Sequence, residues 1–151
     1  MILKQERINT LNEPEVVVRY KNVTTEVEQV IAYVKGVNIN ISCKKDGEEI
    51  FVNANDIYYI ESVDKRCFVY CERDVFQTEY KLYELEERLE SCSFIRVNKS
   101  CVLNLSVLSG IKPLINSRLE ANLINGEKIY VSRKYLTGMK ERLKESNSNR
   151  R

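Results

Sequence analysis

Residues 118–135 read Arg118-Leu-Glu-Ala-Asn-Leu-Ile-Asn-Gly-Glu-Lys-Ile-Tyr-Val-Ser-Arg-Lys-Tyr135, and this stretch contains the clearest structural signals of the chain. Asn125-Gly126 separates two runs of strand-forming residues, which predicts a β-hairpin. Ser132 then offers a side-chain oxygen as the N-cap of a helix that begins near Arg133. The apolar face of this helix is predicted to consist of Leu136, Met139 and Leu143.

The segment in front of the hairpin also consists of short strand-like runs separated by polar turns. The predicted strands are 57–63, 67–72, 75–80, 94–97, 102–105 and 107–112, and the hairpin adds 118–124 and 128–131. A helix from about residue 81 to 90 interrupts them, because Leu82, Leu85 and Leu89 share one face while glutamates occupy the others. The sequence therefore predicts a mainly β fold with short helices.

The front of the chain predicts a small strand-helix unit. Residues 15–20 are rich in valine, which favours a strand. Thr25 and Glu28 have the spacing of a capping box at the start of a helix, and Gly36 is predicted to end it.

Alternation of apolar and polar residues over 37–43, followed by Asp46-Gly47, predicts another hairpin. We predict three parts: a strand-helix extension, residues 1–44; a β-rich domain, residues 45–145; and a disordered tail, residues 146–151. The extension is too short to fold alone, so it should pack on the β-rich domain or on another subunit.

The composition excludes several classes of protein. The 151 residues are 43% hydrophobic and 30% charged, as in an ordinary globular protein. The chain has no histidine and only 5 glycines, without a glycine-rich phosphate loop. We therefore predict no enzyme activity, no small-molecule substrate and no cofactor. No apolar run approaches the ~18 residues of a membrane span, and no signal core follows Met1, which favours a cytoplasmic protein.

The cysteines predict no metal site. They are Cys43, Cys67, Cys71, Cys92 and Cys101, an odd number without a Cys-x-x-Cys pair. In a cytoplasmic protein this pattern favours reduced, half-buried thiols over zinc ligands, which need close pairs.

Charge is distributed unevenly along the chain. Residues 1–95 hold 12 Lys or Arg against 18 Asp or Glu, whereas residues 96–151 hold 12 against 4. The basic rear half indicates a polyanion-binding surface or, alternatively, a merely solvated basic surface.

Two cationic segments in the rear half suit phosphate binding. Arg96-Val-Asn-Lys-Ser100 places Asn98 and Lys99 at a strand end. Arg133 and Lys134 lie at a helix N-terminus, where the helix dipole disfavours cations but free N–H groups favour a bound phosphate. On charge alone, the predicted hairpin tip near residue 65 is a weaker third contact.

Four segments, in order, resemble the LytTR (LytR/AlgR/AgrA-type) DNA-binding domain of bacterial transcription regulators. They are Asp56-Ile-Tyr-Tyr-Ile-Glu61, Leu82-Tyr-Glu-Leu-Glu-Glu-Arg-Leu89, Phe94-Ile-Arg-Val-Asn-Lys-Ser-Cys-Val-Leu-Asn104 and Asn125-Gly-Glu-Lys-Ile-Tyr-Val-Ser-Arg-Lys-Tyr135. The resemblance extends from about Lys45 to Lys144. It implies a mostly β fold that binds double-stranded DNA sequence-specifically through loops, in successive major grooves.

The resemblance also implies which residues contact DNA. The family's contact positions correspond to Lys65, Arg66 and Cys67 in the first hairpin tip, Asn98 and Lys99 in the signature, and Arg133 and Lys134 at the last helix. Two residues depart from the family pattern. Asn98 replaces the signature histidine, and Cys101 replaces an aromatic or aliphatic residue, so the preferred DNA sequence is expected to differ.

Many relatives carry a receiver domain in front, but only about 44 residues precede the match, so we expect a stand-alone, response-regulator-like member. The resemblance implies a homodimer on paired promoter repeats. It also suggests a small membrane-protein inhibitor as partner. The extension could then serve as a dimer or inhibitor surface, although simple packing on the β-rich domain is the plainer expectation.

Three alternatives remain open from the sequence. The protein could be an interaction module that has kept the fold and lost specific DNA binding. It could be an RNA-binding β protein, although no exposed aromatic platform is evident. Cysteines beside the contact loops could add a redox function, which would require thiols of low pKa.

Overall fold

The computed structural model describes residues 1–148, with side-chain surroundings defined as far as Lys144. Ten strands and three α-helices form within these residues, which confirms the predicted mainly β fold. The helices are α1, Thr25–Val37; α2, Leu82–Arg88; and α3, Arg133–Ser148. The strands are β1, Asn40–Lys45; β2, Glu48–Asn53; β3, Tyr59–Val63; β4, Arg66–Tyr70; β5, Val75–Thr78; β6, Phe94–Asn98; β7, Cys101–Asn104; β8, Leu108–Pro113; β9, Leu119–Leu123; and β10, Lys128–Val131.

The strands form two antiparallel sheets. The larger sheet has seven strands in the order β2-β1-β5-β4-β3-β7-β6, and the smaller has three in the order β10-β9-β8. A backbone hydrogen bond from Ser132 N–H to the Val97 carbonyl, 2.9 Å, joins the end of β10 to β6. A second, from Ile124 N–H to the Val107 carbonyl, 2.9 Å, closes the other end of the small sheet against the chain before β8.

Two apolar clusters form the core. Leu85 of α2 and its C-cap residue Leu89 are fully buried in a cluster with the large sheet. Met139 of α3 is fully buried in the second cluster, which includes residues of both sheets, while Leu136 and Leu143 pack beside it. The predicted apolar faces of both helices are therefore confirmed, and Met139 contributes the deepest side chain of α3.

Both predicted glycine hairpins are present. Asp46 and Gly47 adopt φ values of +51° and +79° between β1 and β2, as a tight turn of this hand requires. Gly126, with φ of +91°, lies in the longer connection between β9 and β10. In this connection Asn125 Oδ1 accepts a hydrogen bond from Glu127 N–H, 3.1 Å.

The predicted strand at 15–20 is wrong. Those residues form neither helix nor strand and are almost wholly exposed. Valine-rich sequence favours an extended backbone, but a strand forms only when a neighbouring strand pairs with it.

The limits of α1 also differ from the prediction. Its N-cap is Thr24 instead of Thr25, and Thr24 Oγ1 accepts a hydrogen bond from Val27 N–H, 3.3 Å. Gly36 lies buried inside the helix, and Asn38 is the C-cap. Glycine at position 36 serves packing instead of helix termination, because it lets Asn55 approach the helix backbone closely.

Strand β1 lies in the predicted extension except for its last residue, Lys45, yet it pairs with β2 and β5 of the large sheet. The predicted division at residue 45 therefore falls at the end of a sheet strand. At the other end of the chain, α3 continues to Ser148, so residues 146–148 of the predicted disordered tail are helical, and residues 149–151 lie outside the described part. No helix among residues 1–148 is long and apolar enough to cross a membrane.

Candidate nucleic-acid interface

The first loop is the tight turn between β3 and β4. Asp64 and Lys65 occupy it with φ values of +51° and +66°, and Val63 pairs with Arg66 to close it. This two-residue turn projects beyond the sheet, so the side chains of Lys65 and Arg66 are exposed.

Cys67 is a correction to the predicted site. It is paired with Ser62 across the hairpin, and its side chain is only 3% exposed because it packs in the core cluster beside α2. Successive residues of a strand point to opposite faces, so Cys67 turns inward where Arg66 turns outward. Its side chain cannot reach a DNA groove in this fold.

The second loop is the turn between β6 and β7. Asn98 Oδ1 accepts hydrogen bonds from Ser100 N–H, 2.9 Å, and Ser100 Oγ–H, 3.2 Å. Asn98 Nδ2 donates to the Tyr130 carbonyl of β10, 3.0 Å. The Asn98 amide therefore shapes the turn and ties it to the small sheet, and the exposed side chain at its tip is Lys99.

Arg96 also stabilises the turn between β6 and β7, by hydrogen bonds to its carbonyls. Its guanidinium donates from Nε to the Asn98 carbonyl, 3.1 Å, and from Nη2 to the Lys99 carbonyl, 2.6 Å. Nη1 forms an ion pair with Glu86 Oε2 of α2 at 2.7 Å. The Arg96 side chain is 22% exposed, and its charged hydrogen bonds to two carbonyls of one turn hold that turn in one shape.

The third loop is the junction of β10 and α3. The helix begins at Arg133 as predicted, and the Ser132 carbonyl accepts from Tyr135 N–H, 3.0 Å, in its first turn. Arg133 and Lys134 are exposed, and Lys134 Nζ lies 5.4 Å from the centre of the Tyr135 ring. Two cations thus stand at a helix N-terminus.

Hydrogen bonds place the three loops side by side. Ser62 N–H, next to the first loop, donates to the Ser100 carbonyl of the second, 2.8 Å. The second loop reaches the third through the Ser132–Val97 and Asn98–Tyr130 bonds. The resulting three-loop surface carries five exposed cations, namely Lys65, Arg66, Lys99, Arg133 and Lys134.

The two cysteines next to these loops, Cys67 and Cys101, are buried, and burial disfavours their reactive thiolate form. Cys101 follows the second loop and is 1% exposed, and burial raises the pKa of its thiol to about 12. Burial also raises the pKa of the Cys67 thiol. Redox-sensing cysteines need accessible thiols of low pKa, so neither residue suits that function. Among the described residues, no cluster of three His, Cys, Asp or Glu could hold a metal ion.

Arg96 belongs to a cationic segment of the sequence, but its function in the second loop is apparent only from the fold. The spacing of Arg96 and Asn98 gives no signal for this function, because the register of β6 shifts between these two residues and interrupts the regular alternation of faces. The contribution of Tyr130 could not be read from the sequence, since only the fold brings its carbonyl to Asn98.

Known proteins with this sequence pattern include several regulators. The chain is 30% identical over 116 residues to the sensory transduction protein LytT of Bacillus cereus, an overlap covering 74% of this chain and 47% of LytT. It is 33% identical over 80 residues to the transcriptional regulatory protein YpdB of Escherichia coli K12, covering 53% of this chain and 33% of YpdB. The chain thus spans about half the length of LytT and about one third of the length of YpdB.

A solved structure shares the fold. The LytTr DNA-binding domain of a putative methyl-accepting/DNA response regulator from Bacillus cereus superposes with a TM-score of 0.66 at 29% identity. The superposition covers 69% of this chain and 95% of that one. The sequence model of the LytTr DNA-binding domain matches residues 47–144, well over half of the sequence. The chain therefore belongs to the LytTR family of DNA-binding domains.

Proposed function

We propose that this protein is a bacterial transcription regulator that binds double-stranded DNA sequence-specifically through the three-loop surface, and that it is not an enzyme. The observation that carries the proposal is the bonding of the middle loop to both neighbours, which gathers five exposed cations from distant parts of the sequence. Family membership supports the same function, since the matched domain is described as DNA-binding.

The exposed cations of the three loops differ in the part of DNA that they are suited to contact. Lys65, Arg66, Lys99 and Lys134 are suited to phosphate oxygens, which fix the protein on the duplex without reading sequence. Arg133 can form two parallel hydrogen bonds with guanine in the major groove. The Asn98 amide, with its oxygen and one N–H already used inside the fold, acts mainly by positioning Lys99.

The remaining parts of the proposal concern the whole protein. We further propose a homodimer on paired promoter repeats, located in the cytoplasm, with a small membrane-protein inhibitor as a partner. The division into an extension, residues 1–44, and a DNA-binding domain, residues 45–145, also stays a proposal, with β1 shared between them.

The test selects random duplex fragments on the purified protein and measures affinity for the recovered motif at two salt concentrations. Lys99→Ala should weaken binding to all sequences and lower the salt slope by about one phosphate contact. Arg133→Ala should cost ~1–3 kcal/mol of discrimination at one base pair. Arg73→Ala is the matched control, because Arg73 is an exposed cation beyond the opposite end of β4.

Recovery of a motif, with both variants impaired and Arg73→Ala unchanged, supports the proposal. Binding without a motif, abolished by modest salt, would contradict it and favour the interaction module that has lost specific DNA binding. If neither Lys99→Ala nor Arg133→Ala changed the affinity for DNA, the three-loop surface would not be the DNA-contacting surface.

A further inference from the structure

Residues 15–20, Glu-Val-Val-Val-Arg-Tyr (the arm), have the sequence of a strand, but no strand pairs with them and only Val18 is partly buried. Val16 and Val17 are 64% and 68% exposed. Among residues 1–148, none of the backbone hydrogen bonds involves the arm. An extended valine-rich segment with free N–H and C=O groups is suited to join the edge of a sheet.

The two sheets have four edges, formed by β2, β6, β8 and β10. The edges of β6 and β10 meet through the Ser132–Val97 bond. Strand β8 has an irregular register between Leu108 and Gly110 and ends in Pro113, and both features hinder further pairing. Strand β2 is regular along its pairing with β1 and contains neither proline nor glycine, so its outer edge is open.

The open edge carries an exposed aromatic residue. Phe51 of β2 is 67% exposed, which is unusual for a side chain of this size on a strand. Its neighbours on the core face are Ile50, which packs partly against the core, and the buried Val52. Glu48 and Glu49 at the start of the strand are exposed and acidic.

The arm matches this edge in length, hydrophobicity and charge. Both segments have six residues, about 20 Å of strand at ~3.3 Å per residue. Antiparallel pairing in one register places Val16 opposite Val52, Val17 opposite Phe51, Val18 opposite Ile50 and Arg19 opposite Glu49. Residues directly opposite in such a pair lie on the same face, so Val16 and Val18 would extend the core while Val17 covers Phe51.

We propose that the arm of a second copy of this chain adds to β2 as an antiparallel strand, and that two copies exchange arms reciprocally. The pairing gives backbone hydrogen bonds to both the arm and the β2 edge, and it covers the exposed valines and Phe51. A reciprocal exchange is a closed two-fold arrangement, so it yields a dimer. This inference does not require the proposed DNA binding, and its test contains no DNA.

The test exploits the ion pair that the register predicts between Arg19 and Glu49. The full chain and its variants are examined by sedimentation velocity across micromolar concentrations. Arg19→Glu and Glu49→Arg each place two like charges together, and each should raise the dimer dissociation constant about tenfold or more. The double variant restores the pair with reversed signs and should dimerise like the parent.

Mixing the two single variants separates exchange between copies from docking within one chain. In a mixed dimer, Glu at position 19 faces Arg at position 49, and the native Arg19 faces the native Glu49. The mixture should therefore form heterodimers although each variant alone is mainly monomeric. Val18→Pro, which removes an N–H from the arm, should also prevent dimerisation, while Gln5→Pro, in the same exposed segment but outside the arm, should not.

Two results would overturn the proposal. The parent protein could stay monomeric at every concentration. Alternatively, it could dimerise with no response to charge reversal and no heterodimer on mixing, which would assign the contact to another surface. Both results leave the DNA-binding experiment above unaffected, so the two proposals fail separately.

Discussion

At the scale of single residues, the second loop depends on two side chains that face the protein instead of the solvent. Asn98 bonds to Ser100 and Tyr130, and Arg96 bonds to two carbonyls of the same turn. A loop that must present Lys99 to a phosphate loses less conformational entropy on binding when it is already fixed. Arg96 is therefore a positioning residue in this proposal, and Lys99 is the contact.

We expect Arg96→Lys to lower DNA affinity about tenfold while the fold is retained, because an ammonium cannot bond both carbonyls and Glu86 in the same geometry. The measurement combines binding titration with amide exchange at residues 98–100, which should become faster. Glu86→Gln is the control, since it removes the ion pair but leaves the bonds from Arg96 to the turn. Equal exchange in Arg96→Lys and the parent would contradict the positioning function.

At the scale of elements, the C-terminal end of α1 is attached to the β2–β3 connection by side-chain amides. Asn55 Nδ2 donates to the Tyr33 carbonyl, 2.9 Å, and Asn53 Nδ2 donates to the Val37 carbonyl, 2.9 Å. The Val37 carbonyl lies in the last turn of α1, where a carbonyl has no i+4 donor within the helix, so the bond from Asn53 supplies its partner. Gly36 makes the close approach possible, because a Cβ there would overlap Asn55 Oδ1.

We expect Gly36→Ala to destabilise the protein by ~1–3 kcal/mol, although alanine favours helices, because the added methyl displaces Asn55. Gly138→Ala in α3 is the matched control, as the nearest atom to its added Cβ, Ile95 Cδ1, is 4.0 Å away. Helix propensity should make that variant more stable by up to ~1 kcal/mol. Urea unfolding measures both, and a Gly36→Ala variant as stable as the parent would contradict the close packing of α1.

At the scale of the whole molecule, cysteines contribute to a dependence of stability on pH. Burial raises the pKa of the Cys43 thiol to about 11 and those of Cys71 and Cys101 to about 12. For Cys71 the charges of Asp56, Cys43 and Asp74 add to this effect, and for Cys101 that of Glu61. The unfolded chain therefore loses these protons at lower pH than the native protein does.

Under reducing conditions, the contribution of these thiols to the free energy of unfolding should be fully present below pH ~8.5, the ordinary thiol pKa. It should be lost as the pH rises towards 12. Thermal unfolding at several pH values between 7.5 and 10.5 measures this decline. Cys101→Ala should show a shallower decline than the parent, since it removes one of the titrating groups. An identical slope in both proteins would show that Cys101 does not contribute.

Much of this protein is determined locally by its sequence. The Asp46-Gly47 and Asn125-Gly126 hairpins, the apolar faces of α2 and α3 and the start of α3 at Arg133 all follow from short-range preferences of backbone and side chain. These features depend on residues a few positions apart, so the chain order suffices to predict them.

Only the tertiary structure decided the features that need a distant partner. Cys67 is excluded from the surface by the face of β4 on which it lies, and Asn98 is committed to Tyr130, 32 residues away. The arm at 15–20 forms no strand for the same reason, because a strand is stable only beside another strand. The sequence by itself determined which residues could form the elements and carry positive charge, whereas long-range packing decided which of them face solvent together.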